Sequence, residues 1–366
     1  MSKKVDDLLD QMTLAEQVSL LAGRNMWNTV PNERLGVEKM RVSDGPGGVR
    51  GSKFDGPASM NVPCGTAIAA TWNMELVRSI GELLGREVVA KGARVHLAPT
   101  VNLHRTPIGG RNFECMSEDP YLTAMTAVEY VKGVQSQGVA SCIKHFVGND
   151  TEFERMTIDS QIDERTLREM YLLPFEHAVR DAQVMSIMTS YNRINGPYAA
   201  DSTWLLRDVL RGEWKFDGMV VSDWFGLHST VEGVLAGLDL EMPGPTLHRG
   251  DALVAAVERG EVSADLVRDC ARNILNLMER TGGTDVPPGP EVSRTDADDM
   301  ATLRRASSSA MVLLRNESIA GTPVLPLDVS AVKSIAVIGP NASRGMVQGG
   351  GSAHVTPTRV SHPLDA

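Results

Sequence analysis

The sequence predicts an α/β fold: a (β/α)8-type TIM barrel, irregular in its first units, followed by a linker and the incomplete start of another α/β domain. Three observations lead there. Short apolar runs alternate with amphipathic helical stretches as far as residue 280, the cadence of βα units around a parallel sheet. Polar residues cluster just after the apolar runs, where the carboxyl ends of parallel strands gather ligands. Glycine and proline then break all periodicity before one more helix and one more strand-like run. The implied organisation is a barrel over 1–280, a linker over 281–295, and a linking helix with a truncated domain start over 296–366.

At the N-terminus, Thr13 followed by Glu16 marks a capped amphipathic helix that lacks the long apolar centre of a signal peptide. Strands are expected near Met40 to Ser43, Ala67 to Thr71, Val95 to Ala98, Ala140 to His145, Ser186 to Ser190, Met219 to Ser222 and Leu238 to Glu241. Helices fit Glu75 to Ala90, Pro120 to Gln137, Glu164 to Ala182, Trp204 to Arg211, Asp251 to Glu258 and Ala264 to Arg280, each with charged residues on one face. Asp119 before Pro120 is a start signal, an N-cap followed by proline at the first helical position. A helix from about Asp296 to Arg315 follows the linker, and Ser334 to Gly339 reads as the first strand of a further domain. One strand cannot bury its own faces, so this tail is not a domain by itself.

Composition narrows the function classes. The 366 residues carry 46 acidic and 36 basic side chains, a net charge of −10, with no basic stripe to track phosphates, so nucleic acid is not an expected partner. No window reaches membrane-spanning length, and a soluble, cytoplasmic protein is expected. Cys64, Cys115, Cys142 and Cys270 lie too far apart for zinc or redox motifs and read as free thiols. No cluster has metal-ligand spacing, and no cofactor is called for.

The most informative stretch is Gly218 to Gly226, an apolar run that stops at Asp223 and Trp224. A carboxylate at a strand end either caps the next helix or works as a nucleophile or base. Its companions decide for work: Asp44 with Arg50 in SDGPGGVR, Arg111 in GGRNFE, Lys144 and His145 in CIKHF, and Tyr191 in MTSYN are polar groups at successive expected strand ends. Singly, Asp44 could make an Asx-turn, Lys144 and Arg111 rim salt bridges, and His145 a satisfied core imidazole. A barrel brings them to one face, and a monosaccharide is a ligand with enough hydroxyls to use them all while its ring stacks on an aromatic wall.

SDGPGGVR, NLHRTPIGGRNFECMSEDPYL, IKHFVGND, DERTLREMYLLPFE, SYNRINGPY and GMVVSDW, in this order, resemble the barrel domain of glycoside hydrolase family 3 β-glucosidases over nearly the whole chain. The resemblance implies that Asp223 is the nucleophile and that Asp44 grips sugar hydroxyls remote from the anomeric carbon. It implies hydroxyl contacts from Arg111, Lys144 and His145, an orienting role for Arg50, a phenol beside the nucleophile from Tyr191, and an apolar wall from Trp224 and Met188. The substrates implied are β-glucosides or short β-linked oligosaccharides. Lys144 and Arg111 are expected to hold Asp223 ionised, and Tyr191 to aim it with a hydrogen bond.

Retaining chemistry needs a second carboxyl about 5 to 5.5 Å from the first. Glu114, Glu118, Asp119, Asp150, Glu152, Glu154 and Asp159 are candidates by composition, although Asp119 is better explained as a cap and Glu114 by pairing with Arg111. The N-acetylglucosaminidase branch typically reads KHFPGHGxTxxDSH here and draws a His/Asp dyad from the barrel; KHFVGNDTEFERMTIDS lacks it. In the β-glucosidase branch the acid/base is a glutamate of the following α/β sandwich domain, which would place it beyond Ala366. The chain alone would then form a glycosyl-enzyme from an activated aryl glycoside and hydrolyse ordinary glucosides poorly. Gln348 to Ala353, QGGGSA, resembles the sandwich loop that approaches the pocket, and is expected to be disordered without its domain. Alternatives are a xylosidase, disfavoured by Asp44 where a glutamate-containing motif is usual, a phosphorylase, and a non-catalytic sugar-binding protein should the reading frame end at Ala366.

Overall fold

The computed structural model describes residues 3–319 and 321–365. Five parallel strands form one curled sheet: β1 (Val42–Ser43), β2 (Val95–His96), β3 (Ala140–Phe146), β4 (Ser186–Thr189) and β5 (Met219–Val221), in that spatial order. Every residue of these strands is buried, as parallel strands covered by helices must be. Leu240 continues the sheet by a parallel bridge to Val221, and Ala22 pairs in parallel with Glu241. Asn28 then pairs antiparallel with Arg41, and the Val42 amide donates to the Trp27 carbonyl at 2.9 Å. The hydrogen-bonded path thus runs from β5 through 238–241 and 22–29 back to β1, with two antiparallel bridges, Gly23 to Thr29 and Asn28 to Arg41, at the first unit.

Several of the helices covering the sheet start where a side chain satisfies their free amides. Thr13 and Glu16 close a capping box, but it begins a second helix, Leu14–Leu20, after Lys3–Gln11, where one helix was expected. Asp119 accepts from the Tyr121 and Leu122 amides ahead of Pro120–Gln135. Met74–Ala90, Asp251–Glu258 and Ala264–Arg280 lie where the periodicity puts them. The stretch expected as one helix over Glu164 to Ala182 is broken by a wide turn at Leu167–Tyr171, with the Leu172 amide reaching back five residues to Leu167. Pro174 explains it, because it has no amide to donate and its ring crowds the preceding turn.

Two expected strands are not formed. Ala67 to Thr71 belongs to a helix, Gly65–Ala70, whose alanines favour helix and whose Ile68 and Ala69 are buried against the helices beside it. Ser334 to Gly339 has no regular secondary structure, and Ile335, Val337 and Ile338 are exposed: the apolar alternation is present but no neighbouring strand among the described residues completes it. The segment read as a linker is fastened down. The Lys91 ammonium donates to the Val292 carbonyl at 2.8 Å, Glu291 accepts from the Ser52 amide at 3.0 Å, and the helix Ala297–Ser309 packs Ala306 against the barrel helices. Among the described residues no helix is long and apolar enough to cross a membrane.

Candidate active site

At the carboxyl end of the sheet a cavity of about 240 Å³ opens, lined by all nine residues singled out from the sequence: Asp44, Arg50, Arg111, Lys144, His145, Met188, Tyr191, Asp223 and Trp224. β1 delivers Asp44, β3 delivers Lys144 and His145, β4 leads to Tyr191, and β5 leads to Asp223. A strand that ends in a buried sheet has to present its next side chains to the rim, which is why these four separated motifs meet.

The Asp44 wall is ionic and closed. Lys144 Nζ donates to Asp44 Oδ1 at 2.6 Å, the Gly45 amide donates to the same oxygen at 2.9 Å, and Arg50 Nη2 lies 3.9 Å from Oδ2. Burial alone would push the Asp44 carboxyl up, but the charges of Lys144 and Arg50 outweigh it and hold the group below the ordinary carboxylate range. Burial lowers the Arg50 guanidinium. That guanidinium is sandwiched 4.7 Å from the Trp27 ring centre and 4.2 Å from that of Phe54.

The Asp223 wall is open. Asp223 Oδ1 accepts from the Trp224 amide at 2.7 Å, whereas Oδ2, buried, has no hydrogen-bond partner. Burial pushes the carboxyl up to about 6, against the lowering influence of Arg111, Lys144, the Trp224 amide and the Tyr191 phenol. The cations were expected to decide this group; desolvation outweighs them, though the carboxylate still predominates at neutral pH. Arg111 is held by Glu114, Nε to Oε1 at 2.7 Å, and Glu114 more than offsets the lowering by burial, so Arg111 stays firmly charged. Burial and the neighbouring cations Arg111 and Lys144 keep His145 neutral. Its Nδ1 faces the acceptor Asn102 Oδ1 at 3.1 Å, which fixes the proton on Nδ1 and leaves Nε2 to accept from Arg111 Nη2 at 3.2 Å. Nε2, 3.5 Å from Asp223 Oδ2, therefore brings that oxygen no proton.

An aromatic side completes the cavity. Trp224 packs on Trp27 with ring centres 5.5 Å apart, and its indole NH donates to the Met26 carbonyl at 3.0 Å. Met188 is buried under the pocket. Met26, Trp27, Phe54, Leu97, Arg155, Phe225 and Ser352 also line it and escaped the sequence reading. Trp27 sits in GRNMWNT, which carries no strand signal; only the closing path through 22–29 brings it in. Ser352 belongs to the QGGGSA loop expected to be disordered, which instead lies against the barrel: Ala353 and Val355 are buried, and a side chain on Gly349 would overlap the Phe113 ring.

Among the described residues lining the cavity, the carboxylates are Asp44 and Asp223. Glu114 pairs with Arg111, Asp119 caps its helix, and Glu152 pairs with Arg155 at 2.5 Å. Asp150 accepts from the Leu103 amide at 2.6 Å and Asp159 from the Gly196 amide at 3.1 Å, both beside a different cavity. Glu118 and Glu154 line neither. No group of metal-ligating side chains forms among the described residues.

A curled parallel sheet with a ring of carboxylate, cation, phenol and indole at its carboxyl end defines an α/β protein with a polar, aromatic-walled pocket. Comparison then specifies it: residues 11–277 match the glycosyl hydrolase family 3 N terminal domain and residues 311–366 the glycosyl hydrolase family 3 C-terminal domain, and the chain belongs to this family. It is 53% identical over 364 residues to a beta-glucosidase of Rhizobium radiobacter, covering 99% of this chain and 44% of the relative. The beta-glucosidase of Kluyveromyces marxianus in complex with glucose superposes with a TM-score of 0.92 at 42% identity, over 99% of this chain and 44% of that one. DesR, a beta-glucosidase from Streptomyces venezuelae in complex with D-glucose, gives 0.89 at 36%, over 100% and 48%. The chain spans less than half the length of these relatives.

Proposed function

We propose that this chain is the sugar-binding, nucleophile-bearing part of a retaining β-glucosidase that releases terminal non-reducing β-D-glucosyl residues from β-glucosides and short β-linked oligosaccharides. The observation that carries the reading is the buried, unpartnered Asp223 Oδ2 in a cavity that Asp44, Lys144, Arg111 and His145 also line. The relatives named beta-glucosidase and the glucose complexes among them support it.

In this reading Asp44, Lys144, Arg111 and His145 take the sugar hydroxyls, Arg50 orients Asp44, and Trp224 and Met188 form the wall under the ring. Asp223 attacks C1, the bond from C1 to the aglycone oxygen breaks, and that oxygen takes a proton from a general acid. Water then attacks C1 of the glycosyl ester, giving its proton to the same group as base and freeing the Asp223 carboxylate, with net retention. Tyr191, beside Asp223, stabilises the anion at the start and end of the cycle. Among the described residues the cavity offers no second free carboxyl, so in this reading the acid/base is a glutamate of the sandwich domain beyond residue 366, working with a (β/α)8-type barrel that is irregular in its first units. Proton NMR of the first-formed sugar tests the chemistry: β-glucose is expected, and α-glucose as first product overturns the retaining mechanism. Equal turnover of cellobiose by residues 1–366 and by a longer chain would overturn the placement of the acid/base.

A further inference from the structure

The segment after Gln348 is tied to the barrel by contacts that the catalytic reading does not use. Gln348 folds back on Val355 with both ends of its amide: Nε2 donates to the Val355 carbonyl at 2.7 Å, and the Val355 amide donates to Oε1 at 2.9 Å. Val355 is fully buried, and its two methyls sit 3.1 Å from where side chains on Gly45 and Gly48 would begin. Gly45, at φ +119°, is the residue after Asp44, and its amide holds Asp44 Oδ1. Ser59 then pairs with the chain beyond Val355: its amide donates to the Thr356 carbonyl at 2.9 Å and its carbonyl accepts from the Thr358 amide at 3.0 Å. Inside this staple, Arg50 Nη1 donates to the Ser352 carbonyl and lies 3.5 Å from that of His354. Arg50 Nε has no partner, so these loop carbonyls are the acceptors that fix its guanidinium between Trp27 and Phe54 and toward Asp44.

We propose that Gln348 and Val355 are positioning residues: they lock the 348–355 loop onto the Asp44 turn, so that the Ser352 carbonyl holds Arg50 in place and Asp44 is aimed at the sugar hydroxyls remote from C1. This rests on the glucosidase reading above. The loop is then part of the recognition of the sugar's far end, and its looseness is felt only by substrates that carry the hydroxyls Asp44 grips. A general structural role would instead penalise every substrate alike.

The test uses the full-length protein and compares kcat/KM for 4-nitrophenyl β-glucoside with those for its 4-deoxy and 6-deoxy counterparts, in wild type, Gln348→Ala and Val355→Ala. Each variant is expected to lose about tenfold on the glucoside, the scale of one charge-assisted hydrogen bond, and less than about twofold on at least one deoxy analogue. Gln348→Glu, which keeps the acceptor for the Val355 amide and loses the donor, is expected to lose a few-fold with the same substrate dependence. Equal losses on all three substrates, or no loss on any, overturn the proposal. So does unfolding of both Gln348 variants by circular dichroism, which would make the staple a requirement of folding rather than of recognition. Wild type that turns over none of the glucosides refutes the glucosidase reading itself, a result distinguishable because it does not depend on the variants.

Discussion

Two buried carboxylates face each other across the cavity, and their surroundings are opposite. Asp44 has an ammonium at 2.6 Å, a guanidinium at 3.9 Å and a backbone amide, and is held below the ordinary range. Asp223 has one backbone amide, the Tyr191 phenol beside it, one buried oxygen without a hydrogen-bond partner and cations at second remove, and burial pushes it up to about 6. The difference separates holding from reacting. A carboxylate whose charge is neutralised by two cations, with one oxygen held by the Lys144 ammonium and a backbone amide, can still accept hydroxyls at its other oxygen but makes a poor nucleophile; one left with a desolvated, unengaged oxygen is available to form a bond.

Removing the two carboxylates in turn should expose that contrast. Asp223→Asn is expected to lower kcat/KM by about 10⁴-fold or more while leaving the unfolding midpoint unchanged or higher, since a costly buried charge is removed. Asp44→Asn is expected to cost about 3 kcal/mol of stability, because Lys144 and Arg50 are left buried without their counter-charge, and to lower kcat/KM by about 10²-fold. Chemical denaturation alongside steady-state kinetics checks both, and the reverse stability order would break the comparison.

Protonation gives a smaller effect. Asp223 must be ionised to attack, so kcat/KM should fall about tenfold per pH unit below about 6, with Asp44 contributing nothing in that window. The signs for stability are opposite. Asp44, lowered in the fold, stabilises above its unfolded pKa, and that stabilisation is lost as pH falls through its folded value. Asp223, raised in the fold, takes up its proton first, so its cost to the folded state is relieved as pH drops through about 6. A pH profile of kcat/KM with no limb near 6 would contradict the assignment. The smallest change is Tyr191→Phe: losing the phenol that favours the anion should move the acid limb upward and reduce kcat/KM about tenfold at neutral pH.

Much of this site was legible because strand ends in a parallel sheet are set by local sequence. Asp44, Lys144, His145, Tyr191 and Asp223 each follow an apolar run, and the fold needs only to curl the sheet to gather them. What stayed hidden depends on tertiary context. Trp27 arrives through a segment joined by isolated bridges, Ser352 through a glycine loop whose anchor, Val355, is buried by residues about 300 positions away, and Arg155 from a loop without periodic signal. The strand expected at Ala67 to Thr71 failed because a short apolar run does not distinguish a buried helix from a strand, and that at Ser334 to Gly339 because strand propensity forms no strand without a partner.

The most direct test of the central claim is to treat the protein with 2,4-dinitrophenyl 2-deoxy-2-fluoro-β-glucoside, whose leaving group needs no acid, and to map the modified peptide by mass spectrometry. The account predicts one stoichiometric fluoroglucosyl ester on Asp223, formed even by residues 1–366. An ester on any other residue, or none at concentrations where glucose is bound, would contradict it.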